Sequence, residues 1–296
     1  MGGALSVVVV GDVMDDVLVR PRGPTALGSD TESEIRRRPG GSGANQAAWL
    51  ASLGVPVRFY GRVGTADVVR HSDALGRSGV DARLGGDPDE PTGTIVVLVE
   101  PTERHMFTDR AANRRLARED LPRSFDGVDH LHVSGYALFD PRSRVAVADL
   151  LRAARAASVS FSVDPSSESY LREMGPSEFL RLTAGAALAF PNAAEATLLG
   201  GSPDVESAAV ALTERYDTVA VKLGAQGALV VSRGARPVQV PPSSADVVDT
   251  TGAGDAFFAG YLAGHLRGLG PVEAGRAAVV AAGRAVVQLG GRPPAA

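Results

Sequence analysis

The chain has 296 residues, a formal net charge of −4 and 44% apolar residues, enough for one large α/β domain or two smaller ones of ordinary globular composition. It contains no cysteine, which excludes disulfides, thiolate metal sites and a cysteine nucleophile. The negative charge argues against a nucleic-acid surface and no run of about 18 apolar residues offers a membrane span, so the expectation is a cytoplasmic protein with neither nucleic acid nor membrane as partner.

The first apolar run, Leu5–Val10, is short, β-branched and preceded by no basic segment. It reads as a buried strand rather than a signal peptide. Ala44–Leu53 reads as a helix and Val57–Tyr60 as a strand. Further on come strand His130–Val133, helix Arg142–Ala156, strands Val159–Val163 and Ala187–Phe190, helices Ala193–Leu199 and Val205–Glu214, and strand Val219–Lys222. Such alternation predicts a mostly parallel sheet covered by helices on both faces. Gly227–Val231 and Arg236–Val240 read as a hairpin turning near Arg233-Gly234, and Ala253–Leu266 and Val272–Val287 as two closing helices. Val17–Arg38 and Thr92–Thr108 break this rhythm with short polar-and-apolar strands. They suit a small sheet over one edge of the domain, a lid whose exposed edges offer a route to a homodimer. With no repeat and no linker, residues 1–296 are read as one domain carrying lid strands from about 17–38 and 92–108.

Chemistry concentrates in the segment Asp249-Thr250-Thr251-Gly252-Ala253-Gly254-Asp255, which runs straight into an apolar helix with Phe258, Leu262 and Leu266 on one face. Glycines let backbone amides converge, and at a helix N-terminus those amides and the macrodipole attract an anion. A phosphoryl group gaining charge during transfer fits that pocket. Asp255, in the first turn, stands where a base would take the proton of an attacking hydroxyl, although by itself it could equally cap the helix. Asp249 and the threonines add oxygen ligands for a cation near phosphates. A second cluster, Gly40-Gly41-Ser42-Gly43-Ala44-Asn45, also opens a helix, and Asn45 offers a donor and an acceptor to a polyol. Taken alone it could be a plain loop-to-helix junction. Gln46 and Phe257 stand where a dinucleotide fingerprint needs glycine, and Lys222 is followed by Leu223 rather than by a P-loop pattern. Lys222 is the one lysine among 30 lysine and arginine residues. His105, His130 and His132 lack metal-ligand spacing, and Trp49 reads as core.

Together these residues resemble the ribokinase or PfkB family of carbohydrate kinases over almost the whole chain. The resemblance implies a three-layer α/β/α ribokinase-like domain with a small β lid. It implies ATP and magnesium as cofactors, with potassium as a further candidate, and a small sugar or sugar-like acceptor phosphorylated on a hydroxymethyl group. It casts Asp255 as the base, with Gly252, Ala253 and Gly254 as the anion hole. Asp12, Asp16, Gly41, Ser42 and Asn45 would face the acceptor, and Arg104 or Arg110 would meet an acidic one. Asn192, Lys222, Gly224, Gly227 and Gly254 fall on the nucleotide side, Glu195 is linked to magnesium, and Asp249 and Thr251 to a monovalent cation. Met14, Ser42, Gly135 and Pro294 depart from ribokinases proper and count against ribose and against potassium activation. A nucleoside kinase of the same fold and a non-catalytic sugar or nucleotide sensor are the alternative readings.

Overall fold

Four valines, Val7–Val10, form the strand (β1) around which the molecule is organised. All four are fully buried, as expected of β-branched residues in a parallel sheet covered on both faces. In this computed structural model residues 6–99 and 104–294 are described. The chain continues through β2 (Met14–Pro21), β3 (Ser33–Gly40), α1 (Ser42–Ser52), β4 (Val57–Gly64), α2 (Val68–Gly76), β5 (Asp81–Asp87), β6 (Gly93–Val99) and β7 (Arg104–Asp109). Then follow β8 (His130–Ser134), α3 (Tyr136–Phe139), α4 (Pro141–Ala156), β9 (Ser160–Asp164), α5 (Glu168–Met174), α6 (Pro176–Thr183), β10 (Leu188–Ala189), α7 (Ala193–Gly200) and α8 (Val205–Leu212). The last elements are β11 (Thr218–Lys222), β12 (Ala228–Ser232), β13 (Val238–Val240), α9 (Ala253–Leu266) and α10 (Pro271–Val286).

Alternate side chains of β1 feed two cores, as the two-residue period of a strand requires. Val7 and Val9 pack with Leu50 of α1, Phe258 of α9 and Ala278 of α10. Val8 and Val10 join Leu150 of α4, Phe179 of α6 and Leu212 of α8 on the other face. The nine strands lie in the order β13-β12-β11-β10-β9-β8-β1-β4-β5. All pairings from β11 across to β5 are parallel, and only the β11–β12 and β12–β13 pairings are antiparallel, so β12 alone is reversed. The parallel strands therefore end along one edge, where open α/β sheets bind ligands. Asp12 follows β1 there, and Asp164 and Lys222 end β9 and β11.

A four-stranded sheet, β3-β2-β6-β7, rises from the same edge. Arg70 on α2 ties its base to the main body, donating two 2.7 Å hydrogen bonds to the carboxylate of Asp15 on β2. The sequence segments 17–38 and 92–108 supply strands of this sheet, with 22–32 as the loop between β2 and β3; 100–103 fall outside the described residues, as does Leu5. The sheet begins earlier than the sequence suggests, at Met14, because Met14 pairs with Gly40 on one side and Gly93 on the other. Most main-body boundaries agree with the sequence reading within one or two residues, the usual scatter. The sequence reading passes over α2, β5, α3, α5 and α6. β5 pairs with β4 alone at the sheet edge, and its short alternation, Asp81-Ala82-Arg83-Leu84, is cut off by Gly85-Gly86. Among the described residues no helix is long and apolar enough to cross a membrane.

Candidate active site

The loop before α9 sets the geometry. Gly252 is the N-cap of α9 at φ 78° and ψ 0°, and no side chain caps the helix. The Ala253 amide donates to the Thr250 carbonyl over a long 3.3 Å. Among the described residues nothing accepts from the amides of Gly252, Gly254 and Asp255. A helix mouth with unpartnered amides is an anion site in waiting. Of the trio 252–254 read from the sequence, Ala253 is thus partly engaged, and the Asp255 amide joins the free set.

Asp255 is half-buried in the first turn of α9. Its Oδ1 accepts from the Ser42 hydroxyl at 2.7 Å and its Oδ2 from the Asn45 side-chain amide at 3.2 Å. The two glycine clusters of the sequence therefore meet here. Burial pushes the Asp255 carboxyl up to about 8 against the Ser42 hydrogen bond; the Asp164 charge adds to the rise, and Asn45 and Lys222 oppose it.

Beside this carboxyl, Lys222 Nζ lies 2.8 Å from Asp164 Oδ2. Burial works against the Lys222 ammonium, but Asp164, Glu195 and Asp255 hold it above its ordinary value. Glu195 and Asn192 form a reciprocal capping box at the start of α7: Oε2 accepts from the Asn192 backbone amide at 2.9 Å, Oε1 from its side chain at 2.8 Å. Burial pushes the Glu195 carboxyl up to about 7 in spite of Lys222.

On the other flank, the Asp12 carboxylate accepts from the Ser42 amide at 3.2 Å and the Gly43 amide at 3.0 Å. It closes the N-terminus of α1 rather than standing free. Gly41, at φ 91°, packs so closely that a Cβ would come within 2.6 Å of the Asp12 carbonyl. Asp16 rests over Gly40 and accepts no hydrogen bond among the described residues. Burial, reinforced by Asp12, pushes it up to about 7, with Arg292 opposing. The Arg110 guanidinium is stacked 4.0 Å from the Tyr136 ring centre and is 3.4 Å from Asp12 Oδ2, with its buried Nη2 lacking a hydrogen bond. It opens on a cavity of about 580 Å³ lined also by Tyr136, Phe139, Tyr170 and Arg144. Burial pushes the Tyr136 hydroxyl up, with Asp12, Glu195 and Asp255 adding to the rise and Arg110 opposing it. Arg110 joins this cavity to Asp12, and Asp12 to Ser42, the partner of Asp255. The backbone of Arg104 pairs with Val99 in the four-stranded sheet; its side chain lies outside the described residues.

A second cavity, about 490 Å³, runs along the opposite side of the α9 mouth between Lys222, Gly224, Gly227, Gly254, Phe257 and Val279. Behind it, Asp249 Oδ1 accepts from the Thr251 amide at 3.0 Å and hydroxyl at 2.7 Å, and Oδ2 from the Gly290 amide at 3.0 Å. Asp164 and Arg292 escape the sequence reading, as do the aromatic side chains Tyr136, Phe139 and Tyr170 of the first cavity. Asp164 had a usable signal, since it ends an apolar strand at the ligand-binding edge. Arg292 had none. The tail reaches the site because Trp49 Nε1 donates to the Gly291 carbonyl at 2.9 Å, which brings the Arg292 guanidinium to Asn45 Oδ1 at 3.4 Å and the Gly40 carbonyl at 3.3 Å.

An anion-ready helix mouth with a carboxyl in its first turn, between two cavities on a ribokinase-like α/β/α fold, defines a phosphotransferase. Residues 4–295 match the family model for pfkB family carbohydrate kinases, and the chain belongs to that family. A fructokinase from Klebsiella pneumoniae is 33% identical over 270 residues, covering 86% of this chain and 83% of that protein. The crystal structure of adenosine kinase from Sinorhizobium meliloti superposes with a TM-score of 0.87 at 28% identity, covering 98% of this chain and 96% of that one. A Vibrio cholerae fructokinase bound to fructose, ADP and potassium superposes with a TM-score of 0.85 at 26% identity, covering 98% and 95% of the two chains. The protein is thus an ATP-using kinase of sugars or nucleosides, as the motifs imply.

Proposed function

We propose that this enzyme transfers the γ-phosphoryl group of ATP to the hydroxymethyl oxygen of a small sugar or sugar derivative, with Asp255 as the base. The observation that carries this reading is the Asp255 carboxyl, held by Ser42 and Asn45 beside unpartnered amides of α9. The acceptor lies on the side of Asp16, Asn45 and Arg110. The nucleotide occupies the cleft bordered by Lys222, Gly224 and Gly227. Asp255 removes the hydroxyl proton as the oxygen bonds to γ-phosphorus and the bond to the β–γ bridging oxygen breaks. Amides at the α9 mouth stabilise the charge spreading over the transferred group. Among the described residues no cluster of three acidic or histidine side chains could hold a metal ion. A magnesium ion would be held chiefly by the triphosphate and water, with Glu195 as the candidate side chain, and would neutralise phosphate charge. The Asp249 carboxylate already accepts three hydrogen bonds, so a potassium ion beside Thr251 would rely on backbone carbonyls.

A second reading, a nucleoside acceptor, is favoured by one feature. The acceptor-side cavity carries Tyr136, Phe139 and Tyr170, the last two stacked at 5.3 Å, which is a platform for a base. ADP release measured across ribose, fructose, sugar acids and nucleosides, with and without potassium, decides between them. Turnover of nucleosides alone selects the second reading, and ligand binding without any ADP production sinks both in favour of a sensor.

Two predictions belong with this mechanism. Asp255 must lose its proton to act, and its carboxyl is pushed up to about 8. kcat/KM for the acceptor should therefore climb nearly tenfold per pH unit below about 7 and level off above about 8. A profile already flat at pH 6 contradicts the base assignment. Asp16 is a partly buried carboxyl awaiting donors. Asp16→Ala should raise the acceptor KM by about 10–100-fold, the worth of one or two charge-assisted hydrogen bonds, with the KM for MgATP within about twofold. Equal effects on both constants count against an acceptor contact.

A further inference from the structure

We propose that Lys222 is a catalytic cation that meets the transferring phosphoryl group, and that Asp164 is the positioning residue that holds it there. The proposal rests on the reading that the α9 mouth receives that group. Lys222 is the single charged residue lining the 490 Å³ cleft among the described residues, and the one lysine of the chain. Its side chain crosses the helix mouth: a Cβ placed on Gly254 would stand 3.6 Å from both its Cδ and its Nζ. An ammonium has three donors, and among the described residues only Asp164 accepts from this one, at 2.8 Å. Two donors remain for oxygens arriving at the amides of Gly254 and Asp255.

Local charge explains why a cation is needed. Asp164, Glu195 and Asp255 all act on Lys222, and without it an incoming triphosphate would face three carboxyls. A flexible point charge suits this place better than a planar guanidinium. Asp164 is itself fixed from both sides. Its Oδ1 accepts from the Ser166 amide at 3.0 Å and its Oδ2 from Gln46 Nε2 at 3.3 Å. Gln46 Oε1 meets His132 Nε2 at 3.1 Å, His132 Nδ1 meets Ser162 Oγ at 2.8 Å, and His130 Nε2 meets the same hydroxyl at 2.8 Å. Burial holds both histidines well below their ordinary range, so this chain of groups is neutral as well as buried. A satisfied buried network is rigid, and its rigidity passes to the ammonium through Asp164. A buried ion pair is by itself a poor stabilising device, which favours a functional reason for this one.

The test is steady-state kinetics, pH profiles and thermal melts of Lys222→Met, Lys222→Arg and Asp164→Asn. Lys222→Met should lower kcat by about 10²–10³-fold, the usual loss for one transition-state donor, with the acceptor KM within about threefold. Lys222→Arg should recover only part of the loss. The groups acting on Asp255 are Ser42 and Asn45 from α1, Asp164 from β9 and Lys222 from β11. Losing the ammonium should move the acid limb of kcat/KM to higher pH. Asp164→Asn should lower kcat about tenfold and move that limb to lower pH. A structural ion pair would instead lower the melting temperature and leave kcat per folded enzyme and the limb in place, which overturns the proposal. If Lys222→Met does not fold, Lys222→Arg and Asp164→Asn decide: near-normal kcat in both rejects the catalytic role. An inactive Asp255→Asn beside a fully active Lys222→Met removes this proposal alone, whereas an active Asp255→Asn removes the underlying mechanism.

Discussion

Asp255→Asn should lower kcat by about 10²–10⁴-fold, the worth of a general base, while the folded enzyme persists. Asparagine keeps the shape and can still accept from the Ser42 hydroxyl, which now donates at 2.7 Å. It cannot take a proton. Stability should move the other way. The Asp255 carboxyl rises from 3.8 to about 8 on folding. Its contribution is therefore fully present below about pH 4 and is lost as pH climbs through about 8, because an ionised carboxylate is poorly solvated there. The full shift corresponds to several kcal/mol. The cleft admits solvent, so a discounted gain of about 1–2 kcal/mol is expected for the variant at pH 8–9. That is roughly 2–5 °C in melting temperature, vanishing near pH 5. Equal melting curves at both pH values would mean that the carboxyl titrates normally, and the buried-base description would fail with it.

A site built from residues that folding alone would not choose is legible in sequence. Burial pushes the Asp255 carboxyl up to about 8, and Gly252 takes a φ of 78° at the helix mouth, so the segment 249–255 carries chemistry in plain letters. Strands were legible for a different reason. Val7–Val10 are buried on both faces and have no other use for four β-branched side chains. What could not be read was long-range pairing. Asp12 and Asp249 look like ligands in a linear chain, yet their carboxylates are occupied by amides at 42, 43, 251 and 290. Asp16 looks the same in the sequence and is the one whose carboxylate awaits a donor. Arg292 reaches Asn45 only because the tail is pinned by Trp49, a contact that no local pattern encodes. β5 is hidden because its alternation spans only Asp81–Leu84 before Gly85-Gly86 interrupts it, too short a run to stand out.

The second large effect concerns Gly252. Its φ of 78° costs a non-glycine residue about 1–2 kcal/mol. A methyl there would also stand 2.4 Å from the Gly291 carbonyl oxygen, and overpacking of that kind costs about 1–3 kcal/mol more. The strain cannot be relieved locally. Gly291 accepts from Trp49, and a Cβ on it would lie 2.4 Å from the Asn45 amide nitrogen, so pushing the tail aside moves the group that holds Asp255 Oδ2. Gly252→Ala should therefore lower both the melting temperature, by several degrees, and kcat, by about 10²–10³-fold as the amides lose their aim. Gly254→Ala separates the two effects. There a Cβ meets nothing nearer than 3.6 Å, in Lys222, and alanine favours a helix by about 1 kcal/mol over glycine. This variant should melt no lower than the parent, yet lose turnover, because the methyl stands in the cleft that phosphoryl oxygens must enter. Wild-type kcat in Gly254→Ala would mean that the transferred group never approaches the mouth of α9, whatever the stability of the variant.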